Sequence, residues 1–470
     1  MSEKVDLNSR DESFRDSIST ISKEGKRNWI YPKIPKGVLH NKRIIVSVIL
    51  LILLFSGPFW TWNGHAMFLF NIIERKFILF GVPFWPQDFF LFVLATLTFF
   101  VFIILFTVVF GRVWCGWACP QTIFMEMVFR KIEYAIEGDY TRQKALNKGP
   151  WNAEKIRKKT IKHLIFFLIS FVIANTFLAY IIGIEKLNLL VSEGPGSHVG
   201  GFFSLFFFTA VFYGVFAHFR EQVCIVVCPY GRLQGVLLDR NSIVIAYDYN
   251  RGEQRGKIHK DKERTEGDCI DCHQCVHVCP TGIDIRNGTQ LECVNCTACI
   301  DACDDVMDKV GFKKGLIRFD SENSIASGKK FKITSRIIGY STILVLLMSV
   351  LVILLALRSD IETTILRTPG QLFQEMENNK VSNLYNVQVI NKTFKDLDLE
   401  LKLKSPAGEI KFVGNEISKV KQDSLVEAVF FVILSREKIV KLKTQLTLSV
   451  ISDGKEIDEI KTNFLGPNSK

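Results

Sequence analysis

The sequence predicts a bundle of five membrane-spanning helices, with a cysteine-rich insert before the last helix and a β-sandwich after it. Three observations carry this. Five stretches stay free of charged side chains for about the 20 residues a helix needs to cross hydrocarbon. Eight of the 12 cysteines crowd into Cys269–Cys303. The C-terminal part, about 100 residues long, alternates apolar with polar side chains in the manner of strands. A mean hydropathy of +0.19 and 39 Phe in 470 residues exclude a disordered or fibrous chain.

The charge-free stretches are Ile44–Trp60, Phe89–Gly111, Leu164–Ile184, Val199–Phe219 and Ile337–Leu357. Ala66–Pro86 is apolar too, but Glu74, Arg75 and Lys76 sit at its centre. Each such charge costs about 2.5–3.5 kcal/mol at mid-membrane, so this segment is expected at the membrane interface. No cleavable leader is expected before the first span, and residues 1–43 are expected to be a largely disordered tail. Lys and Arg crowd before span one, between spans two and three, and after span four. By the positive-inside rule those segments are cytoplasmic, and an odd number of spans places the C-terminus outside. The net charge of +11 therefore marks a membrane face, and no nucleic acid is needed to explain it. The expected domains are a tail (1–43), a four-helix membrane domain (44–219), a cytoplasmic loop (220–336, core 265–310), a fifth span (337–357) and an outer domain (358–470).

Within that loop, Cys269, Cys272, Cys275 and Cys279 precede Pro280, and Cys293, Cys296, Cys299 and Cys303 repeat the spacing. This is the bacterial two-cluster ferredoxin pattern, in which three close thiolates wrap a cubane and the fourth ligand comes from the other run. Cys269, Cys272, Cys275 and Cys303 are assigned to one [4Fe–4S] cluster, and Cys293, Cys296, Cys299 and Cys279 to the second. Zinc ribbons also use paired cysteines and form the alternative. Asp304 stands where the pattern places a second proline. His273 and His277 are expected to face solvent.

The other four cysteines form a duplicated Cys-x3-Cys-Pro: Cys115, Cys119 and Pro120 after span two, and Cys224, Cys228 and Pro229 after span four. On a helix, residues four apart share a face, with Cβ atoms about 5–6 Å apart, too far for an unstrained disulfide. Such pairs suit soft Cu(I) or iron–sulfur chemistry, while buried cysteine as plain packing is the bland alternative. His163 and His218 near span ends, and Glu126, are expected to serve packing and helix pairing.

After Arg358, Leu397, Leu399, Leu401 and Leu403 alternate with charged residues, and Leu384–Ile390, Ile410–Val413, Ala428–Leu434 and Leu446–Ile451 read as further strands. An immunoglobulin-like sandwich used for docking is expected.

Gly111–Gln121, Ile132–Glu133 with Glu137–Asp139, Arg220–Gln234, Tyr247–Gly256 and the two cysteine runs closely resemble the CcoG/FixG/RdxA family, accessory proteins of cbb3-type cytochrome c oxidase. The resemblance implies a bacterial inner-membrane polyferredoxin that reduces Cu(II) to Cu(I) during assembly of the oxidase's copper centre. Cys115, Cys119, Cys224 and Cys228 are then the copper site. A cytoplasmic electron donor, copper, oxidase subunits or copper chaperones, and membrane lipid are the implied partners. The fold class is a five-helix membrane bundle with a cytoplasmic two-[4Fe–4S] ferredoxin insert and a C-terminal immunoglobulin-like β-sandwich. An electron relay with membrane quinol and a non-enzymatic assembly scaffold are the alternative functions.

Overall fold

A computed structural model describes residues 19–22, 24–62, 64–72, 76–194, 196–258, 264–328, 333–370, 372–414, 417–439, 441–452 and 454–467. Five helical stretches among them are long and apolar enough to cross a membrane: Val38–Phe59, Pro86–Phe110, Ala153–Ile182, Val199–Phe219 and Ser335–Ala356. The chain divides into two compact units. One comprises the chain through Pro58 together with Val93–Val350, the other Phe59–Phe92 together with Leu351–Lys470.

In the first unit, α1 (Val38–Ser56) and α2 (Phe89–Phe110) are followed by the short α3 (Val113–Trp117) and α4 (Pro120–Ile123). A π-helical turn, Phe124–Phe129, leads into α5 (Arg130–Glu137), then α6 (Tyr140–Lys148), α7 (Ala153–Ile182), α8 (Ile184–Glu193) and α9 (Val199–Gly214). After α10 (Pro229–Leu237) comes the insert, built from α11 (Tyr249–Gly252), α12 (Gln274–His277), α13 (Ala298–Val310) and α14 (Glu322–Ser327). The last helix is α15 (Ser335–Ala356).

The tail is a correction. Residues 1–18 lie outside the described residues, but the segment after them is tied to the insert. Ser19 donates to the Thr281 carbonyl, the Lys33 amide to the His277 carbonyl, and the Lys33 ammonium to Gln274. The Asp301 carboxylate accepts from the amides of Leu39 and His40 in the first turn of α1, where a negative charge also meets the positive end of the helix dipole. Satisfying these amides fixes the backbone that composition alone leaves free.

Several of the loop charges are buried. Arg220 forms a fork with both carboxylate oxygens of Glu133, each 2.8 Å away. Lys162 and Lys159 pair with Glu137 at 2.8 and 2.9 Å, and Arg130 pairs with Glu126 at 2.9 Å and Glu221 at 3.4 Å. This network joins α5, α7 and the turn after α9.

The second unit holds a hairpin of β1 (Thr61–Trp62) and β2 (His65–Ala66), then a meander of β3 (Phe68–Asn71), β4 (Lys76–Leu79) and β5 (Val82–Phe84). Residues 59–92, counted above within the membrane domain, thus group with the outer domain. Glu74 and Arg75 lie outside the described residues. Asp88 anchors the grouping: buried, it accepts from Arg358 and from Lys392, each at 2.7 Å.

In the insert, β6 (Val244–Tyr247) pairs with β7 (Ile317–Asp320). The outer strands are β8 (Ile361–Arg367), β9 (Gln374–Met376), β10 (Lys380–Asn391), β11 (Leu397–Ser405), β12 (Glu409–Val413), β13 (Lys419–Val420), β14 (Ser424–Ser435), β15 (Lys443–Ser452) and β16 (Lys455–Leu465). One sheet runs β12-β14-β10-β8, with β9 on β10, and the other β13-β11-β15-β16. Tyr385, Val387 and Phe430 from the first sheet share a core with Leu399, Leu446 and Leu448 from the second, which is the sandwich the alternation predicts.

Burial alone would raise the Glu133 carboxyl, but Arg220, then Lys162 and Arg130, hold it below the ordinary carboxylate range. A depressed carboxyl contributes stability above its unfolded pKa, and that contribution is lost as pH falls through the folded value. Glu133→Gln should therefore destabilise the helical unit by about 3–5 kcal/mol at neutral pH, because buried Arg220 loses its two-pronged carboxylate partner. Thermal unfolding between about pH 3 and 7 should also show less acid sensitivity in the variant than in the parent.

Candidate functional site

The two cysteine runs fold with the same backbone device. Asp271 and His273 flank Cys272, and Asn295 and Thr297 flank Cys296; all four adopt left-handed φ between 53° and 68° although none is glycine. Alternating left- and right-handed residues turn successive amides inward, a geometry that favours an anionic guest. Amide donors already reach the sulfurs: Asn295 to Cys293, Ala298 to Cys296 and Ile317 to Cys303.

Two cavities result. One is lined by Cys279, Cys293, Cys296 and Cys299, the other by Cys269, Cys272 and Cys303, and Cys275 lies on the wall of both. The structure thus gathers the crossed sets that the spacing predicts, the fourth cysteine of each run joining the other run's three. Among the described residues no three thiol, imidazole or carboxylate groups close to single-ion spacing. A zinc site draws its sulfurs to about 2.3 Å from one centre, whereas a cubane is wrapped by three close thiolates and a fourth from elsewhere in the chain. Burial pushes Cys275, Cys293 and Cys303 up to about 12 and Cys296 up to about 11. Ionising them calls for the positive charge of bound metal.

Asp304 now has a reason. α13 runs from Ala298 through Cys303 to Val310, so position 304 is helix interior, where proline would remove a hydrogen bond and clash. The first run ends its helix before Cys279, and Pro280 is free to follow. His273 and His277 are exposed; His273 meets Arg286 at 2.8 Å and His277 stacks on Tyr140.

The edge pairs depart from the single-helix expectation. Each helix breaks before its second cysteine: Cys119 and Cys228 are extended residues that cap α4 and α10, with Pro120 and Pro229 in the first turn. The Cys119 amide reaches back to Trp114 at 2.9 Å and the Cys228 amide to Val223 at 2.7 Å, matching five-residue returns. Proline at the first helical position sacrifices no bond, which is why a new helix can start there. Four residues before each first cysteine, Gly111 (φ 59°) and Arg220 (φ 56°) both take a positive φ. Glycine adopts it freely, whereas at 220 the Glu133 fork holds a long side chain in that conformation.

These two turns bring all four thiols into one electrostatic neighbourhood. Cys115 feels Cys119 and Cys228, and Cys224 feels Cys119, Cys115 and Cys228. Burial raises Cys115, and pushes Cys224 up to about 12. The Cys115 thiol donates to Gln234 at 2.8 Å, the Arg112 guanidinium lies 3.9 Å from the same sulfur, and Thr122 lies 4.0 Å from the Cys224 sulfur.

The tetrad also abuts the insert. A Cβ on Gly116 would fall 2.4 Å from the Val294 carbonyl oxygen and 2.9 Å from Asn295 backbone, so α3 lies flush on the Cys293–Cys296 loop. Arg43 donates to the Gly116 carbonyl at 2.7 Å and its charge acts on Cys296. Arg112 donates to the Leu291 carbonyl and acts on Cys293. Sequence reasoning missed Arg43, Arg112 and Gln234; the one signal available was their place beside a span end or within a Cys-Pro motif. His163 meets the Tyr213 hydroxyl at 2.9 Å, and His218 sits edge-on to Trp29.

Comparison with known proteins follows the same divisions. Residues 219–322 match a family model described as a 4Fe-4S dicluster domain, 92–136 a 4Fe-4S binding domain, and 351–467 an IG-like fold at the C-terminal of FixG. Protein RdxB of Cereibacter sphaeroides is 33% identical, with 83% of this chain and 84% of that protein aligned. The chain belongs to the FixG/RdxA family. Protein RdxA of the same organism is 33% identical over 81% of this chain and 83% of its own length. Nitrogen fixation protein FixG of Rhizobium meliloti is 36% identical over 64% of this chain, and the aligned part spans 59% of its length. The family carries iron–sulfur centres, and this member is a membrane iron–sulfur protein of electron transfer.

Gly116→Val should push α3 off the Val294–Asn295 backbone. Faster alkylation of Cys115 by a maleimide, with the outer domain's proteolytic resistance unchanged, is the expected outcome.

Proposed function

We propose that this protein reduces Cu(II) to Cu(I) at Cys115, Cys119, Cys224 and Cys228 in the service of copper-centre assembly in a cbb3-type oxidase. Cys269, Cys272, Cys275 and Cys303 would hold one [4Fe–4S] cluster and Cys279, Cys293, Cys296 and Cys299 the other; bound there, the clusters supply single electrons. The observation that carries the reading is the backbone contact of Gly116 with Val294 and Asn295, which leaves no side chain between the Cys115 helix and the Cys293–Cys296 loop. Each copper ion gains one electron and no bond need break. Softening from Cu(II) to Cu(I) favours the thiolate pairs, so the tetrad stabilises product over substrate. Arg43 and Arg112 hold the two redox regions together, and Gln234 orients the Cys115 thiol.

The Lys/Arg asymmetry supports a cytoplasmic N-terminus and insert and a periplasmic outer domain. The grouping of residues 59–92 with the outer domain fits, because both segments must then lie on one side. Oxidase subunits or copper chaperones are the partners proposed for the sandwich, and a cytoplasmic donor for the insert.

A second reading draws on the 4Fe-4S description of the model matching 92–136, where Cys115 and Cys119 are the sole cysteines. In that reading the tetrad itself binds iron. One experiment separates the two: anaerobic purification of a Cys115→Ser/Cys119→Ser variant, with iron determination and a Cu(I)-specific chelator. Copper reduction should be abolished with iron content unchanged. A fall in iron would favour the second reading, and wild-type reduction would overturn the first.

A further inference from the structure

Between α10 and the insert lies a cavity of about 770 Å³ that the electron route described above does not use. Its volume is that of a small-molecule site. Tyr247 and Arg286 are walls it shares with the cavity of Cys269, Cys272 and Cys303. Its other wall includes Cys224 and Arg112 of the thiol tetrad. A ligand seated here would therefore touch both redox regions of the first unit.

The lining specifies the ligand's chemistry. Arg232 and Arg240 are exposed and have no ion pair or side-chain hydrogen bond among the described residues, so two guanidinium forks are open to an anion. Glu292 and Glu322 also line the cavity, likewise without such partners there; carboxylates accept from the hydroxyls of a polyol or ribose chain. Asp239, the remaining acid, is engaged by Asn241, Ser242 and Arg336. Val236 and Leu291 offer apolar surface, 82% and 62% exposed, against which a planar ring can lie; Tyr247, itself 5% exposed, forms part of the wall. A phosphate, a hydroxylated linker and a planar ring together make a nucleotide. Neighbouring centres that take electrons singly select, among redox nucleotides, one whose ring can release them singly.

We propose that this cavity binds a phosphate-bearing flavin of the flavin mononucleotide class, the phosphate held by Arg232 and Arg240. The proposal stands whether copper or another acceptor is reduced at the tetrad. The test is anaerobic titration of the full-length protein in detergent with flavin mononucleotide, followed by flavin fluorescence. Saturable quenching is expected. Each of Arg232→Ala and Arg240→Ala should weaken binding about tenfold, the scale of one lost charge-assisted hydrogen bond, and the lysine replacements should weaken it less. Riboflavin, which has no phosphate, should bind the parent about as weakly as flavin mononucleotide binds the double alanine variant. Iron content of the variants verifies that the insert is intact. Absence of saturable quenching, unchanged affinity in the double variant, or displacement by anionic phospholipid but not by excess inorganic phosphate would overturn it, the last by assigning the cavity to lipid.

Discussion

The whole first unit turns on how closely one helix can approach one loop. α3 carries Cys115, the loop carries Cys293 and Cys296, and at Gly116 the two backbones meet with no side chain between them. Any Cβ there would intrude on the Val294 carbonyl, so glycine is required by packing and not by torsion. Gly111 is needed for both reasons: its φ of 59° turns the chain out of α2, and a Cβ would fall 2.8 Å from the Ile243 carbonyl. Arg112 then bonds across the seam to the Leu291 carbonyl, and Arg43 of α1 bonds to the Gly116 carbonyl of α3, where a planar fork loses less freedom than a lysine would. The thiol site and the cysteine-rich insert are in this way one packed body.

The second cysteine pair is placed by a different force. Arg220 holds a positive φ that costs a non-glycine residue roughly 1–3 kcal/mol, and its fork to buried Glu133 offsets that cost. Glu221, beside it, meets Arg27, Arg130 and Arg220. Arg130 also approaches the Pro280 carbonyl in the insert. Two halves of a duplicated motif thus both turn through a positive φ four residues before the first cysteine, one through the freedom of glycine and the other through buried charge.

Much of this was legible beforehand. Charge-free length marks the five spans, because hydrocarbon penalises charge whatever the packing. The crossed cysteine sets follow from spacing, since a cubane's geometry constrains the chain locally. Alternation at Leu397–Leu403 gives β11 because a pleated strand facing a core has period two. The tail was misread because composition reports what a segment can bury alone, and not that Asp301, Thr281 and His277 wait to bind it. The edge pairs were placed on continuous helices because nothing in Cys-x3-Cys-Pro distinguishes one helix from a helix broken and restarted at proline.

Sequence by itself determined the inventory: which stretches span, which thiols can wrap a cluster, which motif is doubled. Those properties depend on local spacing and on transfer from water, and both are written residue by residue. Tertiary structure alone decided that the doubled motifs share one neighbourhood, that this neighbourhood rests on the Cys293–Cys296 loop, and that Arg220 and Glu133 are buried partners. Such contacts join residues far apart in the chain, and their energy exists only once the intervening helices have packed.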